Sequence, residues 1–517
     1  MSAFPYLTVM GAVPLVGSAV VLLLPHSLAA RAKQVALGFS LVTLVVSVLA
    51  ALQFRTSGTT GQFQLQEQHE WIPQFGVSYA LGVDGIALAL ILMSVILTPI
   101  CLLAAFRDLP QDEQGTSREK VYFALMLVLE TFMVGVFAAT DVFLFYVFFE
   151  AMLIPVYFLI GRFGGARRQY AAVKFLLFSL LGGLVMLAAV IGLYVQGPGG
   201  VDGFLVEKLT GLPLSVETGR WLFVGFFFAF AVKAPMFPVH TWLPDAATEA
   251  RPATATLLVG VLDKVGTYGM LRFCLQMFPE ASKWATPVVI ALAVVSVLYG
   301  ALLAIGQTDI MRLISYTSIS HFGFIVLGIF AMTSTGASGS TLYMVNHGFT
   351  TAALFLFAGM LVSRRGSKRI EDYGGWQRIT PVLAGSFLVA GLSGLALPGL
   401  GAFLAEFLTL VGVFQRYPAP AIIATVGIIL AALYILLMYK KMMTGPTPEG
   451  LEATPDLGTR EKWVVAPIIA LFLVLGFYPK PLTDIINPAI TTTLSYVGVT
   501  DPLPVVPVAD PVQGASK

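Results

Sequence analysis

A chain of 517 residues that is 57% hydrophobic and 11% charged carries under half the charge density of a soluble domain, which runs near ~25%. A soluble core of that composition would expose far too much apolar surface, so the chain reads as an integral membrane protein. A net charge of +2 gives no reason to expect nucleic acid. The two cysteines, Cys101 and Cys274, sit in apolar stretches with no CxxC, which argues against an iron–sulfur or zinc site and against any metal on this chain.

Apolar runs long enough to cross ~30 Å of hydrocarbon recur almost throughout and predict about fourteen transmembrane helices. The first (Tyr6 to Leu24) has no basic residue before it and no small-residue cleavage site, so it reads as a retained helix. The first three helices are expected over 5–24, 34–54 and 80–106. Five follow over 119–139, 141–162, 168–195, 219–240 and 253–275. Five more are expected over 285–306, 311–332, 341–363, 381–412 and 419–439, and a last one over 463–479. A Pro- and Val-rich tail from Asp501 to Lys517 is expected to be loosely ordered.

Two of these helices look broken. The seventh holds Lys233, Pro235 and Pro238; the twelfth holds Gly391, Gly394, Pro398, Gly399 and Gly401. Proline removes a backbone donor, and broken backbone at membrane depth survives only against protein or a wet cavity. Paired breaks point to transport sites in folds built from repeats. Breaks five helices apart imply an odd repeat unit, whose second copy must be inverted in the membrane. The expected fold is therefore all-α, with residues 1–106 as an N-terminal segment and 119–275 and 285–442 as two inverted five-helix repeats (helices 4–8 and 9–13). Residues 463–517 form a C-terminal helix and tail. Basic residues such as Arg107, Arg118, Arg162, Arg168, Arg364 and Arg365 crowd one set of alternate loops. That side is cytoplasmic by the positive-inside rule, which puts both termini on the outer face.

Ionisable residues inside the predicted helices are costly, about 2.5–3.5 kcal/mol each on insertion scales, and read as functional by default. Glu130 and Glu150 lie mid-way along the fourth and fifth helices, and Lys233 sits at the first break. Glu150 and Lys233 facing each other would each favour the other's charged form; a purely structural ion pair is the alternative. Lys264 lies mid-way along the eighth helix, with Asp263 pointing about 100° away. It is a candidate for proton exchange, with a fixed counter-ion as the other reading. Lys174 could instead snorkel to the interface. His321 and His347, in the tenth and eleventh helices, titrate near neutrality and have Ser315, Thr317, Ser318 and Ser320 near in sequence. They suit a relay between the halves, or hydrogen-bonded packing. Glu406 is the acidic residue of the twelfth helix and a candidate exit carboxylate. His240, Asp245, Glu249 and Arg251 read mainly as interface and cap.

At these residues the sequence resembles a known family. The segments VDGIAL, FFEAMLIPVYFLIG, VKAPMFPVHTWLPDAATEARP, DKVGTYGMLRF, TDIMRLISYTSISHFGF, NHGFTTAALF and GAFLAEFLTL look like the antiporter-like M subunit family of respiratory NADH:quinone oxidoreductase, complex I, called subunit 4 in mitochondria. The match runs from about Val83 to Met442. Glu406 favours M, because the L and N relatives usually have lysine there. The resemblance implies a proton-pumping module with Glu150–Lys233 at the input, Lys264 as connection, His321 and His347 as central relay and Glu406 at the exit. It implies no cofactor on this chain, with FMN, iron–sulfur clusters and quinone on partner subunits. The partners would be L-like and N-like membrane-arm neighbours in a bacterial inner membrane. Asp263 and Arg251-Pro252 depart from the family pattern, where an apolar residue and Ala-Pro are commoner. Three other readings stand: an Mrp-type antiporter exchanging sodium for protons, a membrane-bound hydrogenase subunit, or a scaffold whose charges are only structural.

Overall fold

A computed structural model of the chain describes residues 4–57 and 61–503. It opens with α1 (Tyr6–Leu23) and α2 (Ala32–Gln53). β1 (Gln64–Ile72) and β2 (Val77–Val83) then form an antiparallel hairpin with Gln68 opposite Ala80. Next come α3 (Gly85–Ala104), α4 (Ser117–Ala138), α5 (Val142–Ala151), α6 (Leu153–Phe163), α7 (Arg168–Gln196) and the short α8 (Val206–Leu209). α9 (Val216–Lys233), α10 (Trp242–Glu249), α11 (Pro252–Leu257) and α12 (Lys264–Gly269) follow. α13 (Pro279–Ile305), α14 (Ile310–Phe330), α15 (Ser334–Arg365), α16 (Trp376–Ile379), α17 (Pro381–Gly394) and α18 (Gly401–Arg416) lead to α19 (Pro418–Met443), α20 (Thr459–Phe477) and α21 (Lys480–Val497). Of the tail expected to be loose, 504–517 lie outside the described residues.

Helix starts follow the capping chemistry in the sequence. The side chains of Asp84, Asp141, Asp309 and Thr333 each accept a hydrogen bond from a first-turn backbone N–H of α3, α5, α14 and α15. Asp141 and Asp309 sit in matching surroundings. Val142 N donates to Phe204 O while Val206 N donates to Thr140 O; in the same way Ile310 N donates to Lys368 O and Ile370 N to Thr308 O. The breaks after α9 and α17 also match, because Met236 N reaches Ala231 O and Leu397 N reaches Leu392 O.

Ten helical stretches among the described residues, with α5 and α6 taken together as Val142–Phe163, are long and apolar enough to span a membrane, or eleven if α20 and α21, bent by 67°, count as one span. The expectation of about fourteen exceeds this count because four predicted spans are not single apolar rods. The 219–240 and 381–412 stretches break after Lys233 and Gly394, and 253–275 contains two π-helical stretches, Leu258–Leu262 and Met270–Leu275. The 463–479 stretch ends at the bend before α21. Pro155, which denies Ala151 O its helical donor, coincides with the break between α5 and α6. Burial separates centre from periphery. In α14 and α15, 94% and 89% of the apolar stretch is buried, against 28% for the stretch containing α2. Polar candidates on α14 and α15 are thus held at the protein's centre, while Leu177, Leu181 and Leu184 of α7 face outward.

Candidate functional site

Buried polar side chains on α12, α14, α15 and α18 form a file joined partly by hydrogen bonds and partly by ring contacts. It begins where the chain winds as a π-helix over Leu258–Leu262. There Asp263 N bonds Leu258 O, and Val259 O accepts instead from Lys264 Nζ at 2.6 Å. The same ammonium lies 2.7 Å from His347 Nδ1 and over the ring of Phe322. His347 Nε2 is 3.2 Å from Thr351 Oγ1. Its ring meets that of His321 edge-on, with centroids 5.3 Å apart and planes at 89°. From His321, Nε2 reaches Tyr434 OH at 3.3 Å, and the ring lies 5.8 Å from that of Tyr343. Tyr343 OH in turn donates to Glu406 Oε2 at 3.4 Å. Four helical segments, α12, α14, α15 and α18, thus bring Lys264, His321, His347 and Glu406 together, all 5% exposed or less.

Their hydrogen bonds can run in either direction. If Lys264 donates to His347 Nδ1, Nε2 carries the imidazole proton and donates to Thr351; with the amine neutral, both bonds reverse. The Lys264–His347–Thr351 segment can therefore accept or give up a proton by reversing its hydrogen bonds, while His347 to His321 and His321 to Tyr343 are joined by ring contacts. Tyr343 and Tyr434 were not among the sequence candidates. Aromatics are ordinary in apolar helices, and only a buried hydroxyl's need for a partner marks them. The seryl and threonyl hydroxyls expected near His321 do less. Ser315, Thr317 and Ser318 donate within α14, and Ser320 ties α14 to Val297 O of α13.

The first half is arranged differently. Lys233 ends α9, buried, with its ammonium 4.7 Å from the Phe149 ring centre and 6.0 Å from that of Phe175. Glu150 is half-buried and leans on α7. A Cβ at Gly183 would stand 1.6 Å from its Oε1, so glycine is what makes room for the carboxylate. The two groups lie within Coulombic reach but do not form the direct pair expected, since no N···O contact within 4.0 Å joins them. The aromatic rings occupy the space around the ammonium instead. Lys233 Nζ and Glu150 Oε1 have no hydrogen-bond partner among the described residues, nor does either oxygen of Glu130 on α4. Buried polar groups are expensive without partners, which leaves these atoms dependent on water or on exchanged protons. Glu130 touches none of the other candidates by hydrogen bond or ion pair.

Between the halves, Asp245 on α10 accepts from Lys174 of α7 at 2.6 Å and from Arg312 of α14 at 2.7 Å. Lys174 is therefore paired rather than extended to the interface. The neighbouring loop has the capping role expected of it. Arg251 Nε donates to Phe163 O, and Glu249 accepts from Arg167 N. Beyond the helix ends, burial pushes the Asp108 carboxyl up to about 6 against the opposing pull of Arg251, and burial likewise raises Asp141 to about 6. Cys101 and Cys274 are free and buried.

Residues 139–431 match the family model described as NADH:quinone oxidoreductase/Mrp antiporter, transmembrane. The chain is 50% identical to NADH-quinone oxidoreductase subunit M of Mycobacterium tuberculosis, covering 100% of this chain and 99% of that protein. It superposes on a chain of respiratory complex I from Thermus thermophilus with TM-score 0.86 at 32% identity, covering 95% of this chain and 100% of that one. A chain of the Mrp complex from Dietzia shares the fold, with TM-score 0.82 at 23% identity over 96% of this chain and 100% of that one.

Proposed function

The chain belongs to the NADH:quinone oxidoreductase/Mrp antiporter family of membrane subunits, and from that premise we propose that it is the proton-translocating M-type subunit in the membrane arm of complex I. NADH oxidation and quinone reduction proceed on other subunits, which carry FMN, iron–sulfur clusters and quinone, while this chain itself supplies no redox centre. L-like and N-like subunits flank it in a bacterial inner membrane, with both termini on the outer face.

The observation that carries this reading is the buried file from Lys264 through His347 and His321 to Glu406. A charge rearrangement arriving from the neighbouring subunit alters the field between Glu150 and Lys233 and drives a proton to Lys264. The proton then moves through the histidines, whose ring nitrogens can hold and pass it, and leaves by way of Tyr343 and Glu406. Glu130 stands at the entry side as a further carboxylate. The paired breaks after α9 and α17, and the matching backbone bonds around Asp141 and Asp309, support two inverted repeats at 119–275 and 285–442. With the interrupted segments counted as crossings, the chain passes the membrane about fourteen times, as its apolar lengths allow.

The test is made in the intact complex reconstituted in vesicles. Glu150→Gln and Lys233→Ala are expected to leave the complex assembled and to abolish coupled quinone reduction and pumping. Wild-type rates in both variants would overturn the reading. Sodium-for-proton exchange by the chain with no redox partner would replace it with the antiporter reading.

A further inference from the structure

Asp263 is fully buried, and neither of its carboxylate oxygens has a hydrogen-bond partner among the described residues. Its position is set by the two elements around it. A Cβ at Gly266, three residues on and so on the same helix face, would strike Phe230 O at 2.5 Å and Ala234 N at 2.6 Å. That face of α12 therefore lies against the end of α9, where Lys233 is the last residue. Lys264, the next residue along, sends its ammonium the other way, to Val259 O and His347. Asp263 accordingly lies between the two lysines, within Coulombic reach of both. Lys233 Nζ, the ammonium it faces, also lacks a hydrogen-bond partner.

An unpartnered buried carboxylate adds no packing that an apolar residue of its size would not supply at lower cost. It does solve a charge problem. A proton passed from Lys233 to Lys264 without an intermediary leaves an uncompensated positive charge in a medium of low dielectric. We propose that Asp263 is a proton-carrying carboxylate that takes a proton from Lys233 and hands it, through water, to Lys264. An N–H bond of the Lys233 ammonium breaks as an O–H bond forms on Asp263. That O–H bond then breaks as an N–H bond forms on the neutral Lys264 amine. The net charge of the three groups is zero before, between and after the two steps, so no bare charge is created at depth. Adjacent residues point about 100° apart on a helix, which lets Asp263 and Lys264 address two different neighbours, and the π-helical turn just before them leaves Val259 O to accept from the Lys264 ammonium.

The inference rests on the reading of the chain as a proton conduit, and the experiment separates the two. Asp263→Asn, Asp263→Glu and Lys233→Ala are compared in the intact complex in vesicles. The readouts are NADH-driven pumping, its pH profile, recovery of this chain in the purified complex as a check on assembly, and NADH oxidation by a soluble artificial acceptor as a measure of the NADH-oxidising subunits. Asp263→Asn is expected to lower pumping at least tenfold with acceptor activity unchanged. Asp263→Glu is expected to restore at least half of it with a displaced pH profile, which a merely structural role would not produce. Wild-type pumping in Asp263→Asn while Lys233→Ala fails would overturn the role of Asp263 and leave the conduit standing. Wild-type pumping in both would overturn the conduit itself. If Asp263→Asn does not assemble, Asp263→Glu decides: a displaced pH profile supports the role, and an unchanged profile overturns it.

Discussion

Lys264 and His347 stand on different helices, 83 residues apart in sequence, with Nζ and Nδ1 separated by 2.7 Å. Each is buried, and among the described residues their other side-chain hydrogen-bond partners are the backbone carbonyl of Val259, for Lys264, and the hydroxyl of Thr351, for His347. Replacing the ammonium while keeping its apolar stem, as in Lys264→Met, removes the proton carrier and spares the packing. Loss of such a group is worth about 10²–10⁴-fold in rate. Pumping in vesicles is expected to fall by at least about 10²-fold, with NADH oxidation by an artificial acceptor unchanged. His347→Phe, which preserves the edge contact with His321, is expected to do the same. Full pumping in either variant would remove the pair from the path.

Two glycines separate effects on function from effects on stability. A Cβ at Gly183 meets only the far end of the flexible Glu150 side chain, whereas one at Gly266 meets backbone atoms of α9. Gly183→Ala is therefore expected to assemble normally but to displace Glu150, lowering coupled turnover several-fold. Gly266→Ala must push two helices apart, and overpacking of that kind costs about 1–3 kcal/mol. It is expected to lower the thermal inactivation midpoint and the yield of assembled complex. Equal losses of assembly in the two variants would contradict this division.

Much of this was legible in the sequence because charges stand out in apolar runs. Lys233, Lys264, His321, His347 and Glu406 are conspicuous there, and the family resemblance arranges them in order. What was not legible has physical reasons. The hairpin over β1 and β2 was missed because the apolar Val77–Val83 strand runs on into α3; only the capping side chain of Asp84 marks the boundary. α21 escaped because it is amphipathic rather than apolar. Tyr343 and Tyr434 look like filler until their hydroxyls are seen against Glu406 and His321. The separation of Glu150 from Lys233 depends on where Phe149 and Phe175 point, which no spacing rule gives.

Asp245 ties α7 to α14 by accepting from Lys174 and Arg312, with side chains 21% and 29% exposed on the basic partners and 11% on the acid. Asp245→Asn leaves two cations short of their counter-ion at partial burial, for which about 1–3 kcal/mol is expected. The thermal midpoint of the assembled complex should fall accordingly. Because Lys174 and Asp245 share one network, the double variant Lys174→Met/Asp245→Asn should lose less than the sum of the single losses. Strict additivity would mean that the contact carries no coupling.

Asp108, outside the spanning helices, gives a pH dependence of definite sign. Tyr122 OH donates to its Oδ2 at 3.2 Å, and Arg251 and Arg460 draw its pKa down, but burial prevails and lifts it from 3.8 to about 6. The folded chain thus holds this proton more tightly than the unfolded one. Between about pH 4 and pH 6 the folded state binds more protons, so stability falls as pH rises through that window and levels off above it. Asp108→Asn has no proton to lose and should lack this slope. Relative to wild type it should gain about 1–2 kcal/mol on going from pH 4.5 to pH 7.5, after allowance for the carboxyl's partial contact with solvent. Thermal midpoints of both proteins across that range provide the check. A difference between them that stays constant with pH would show that Asp108 ionises alike in the folded and unfolded chains.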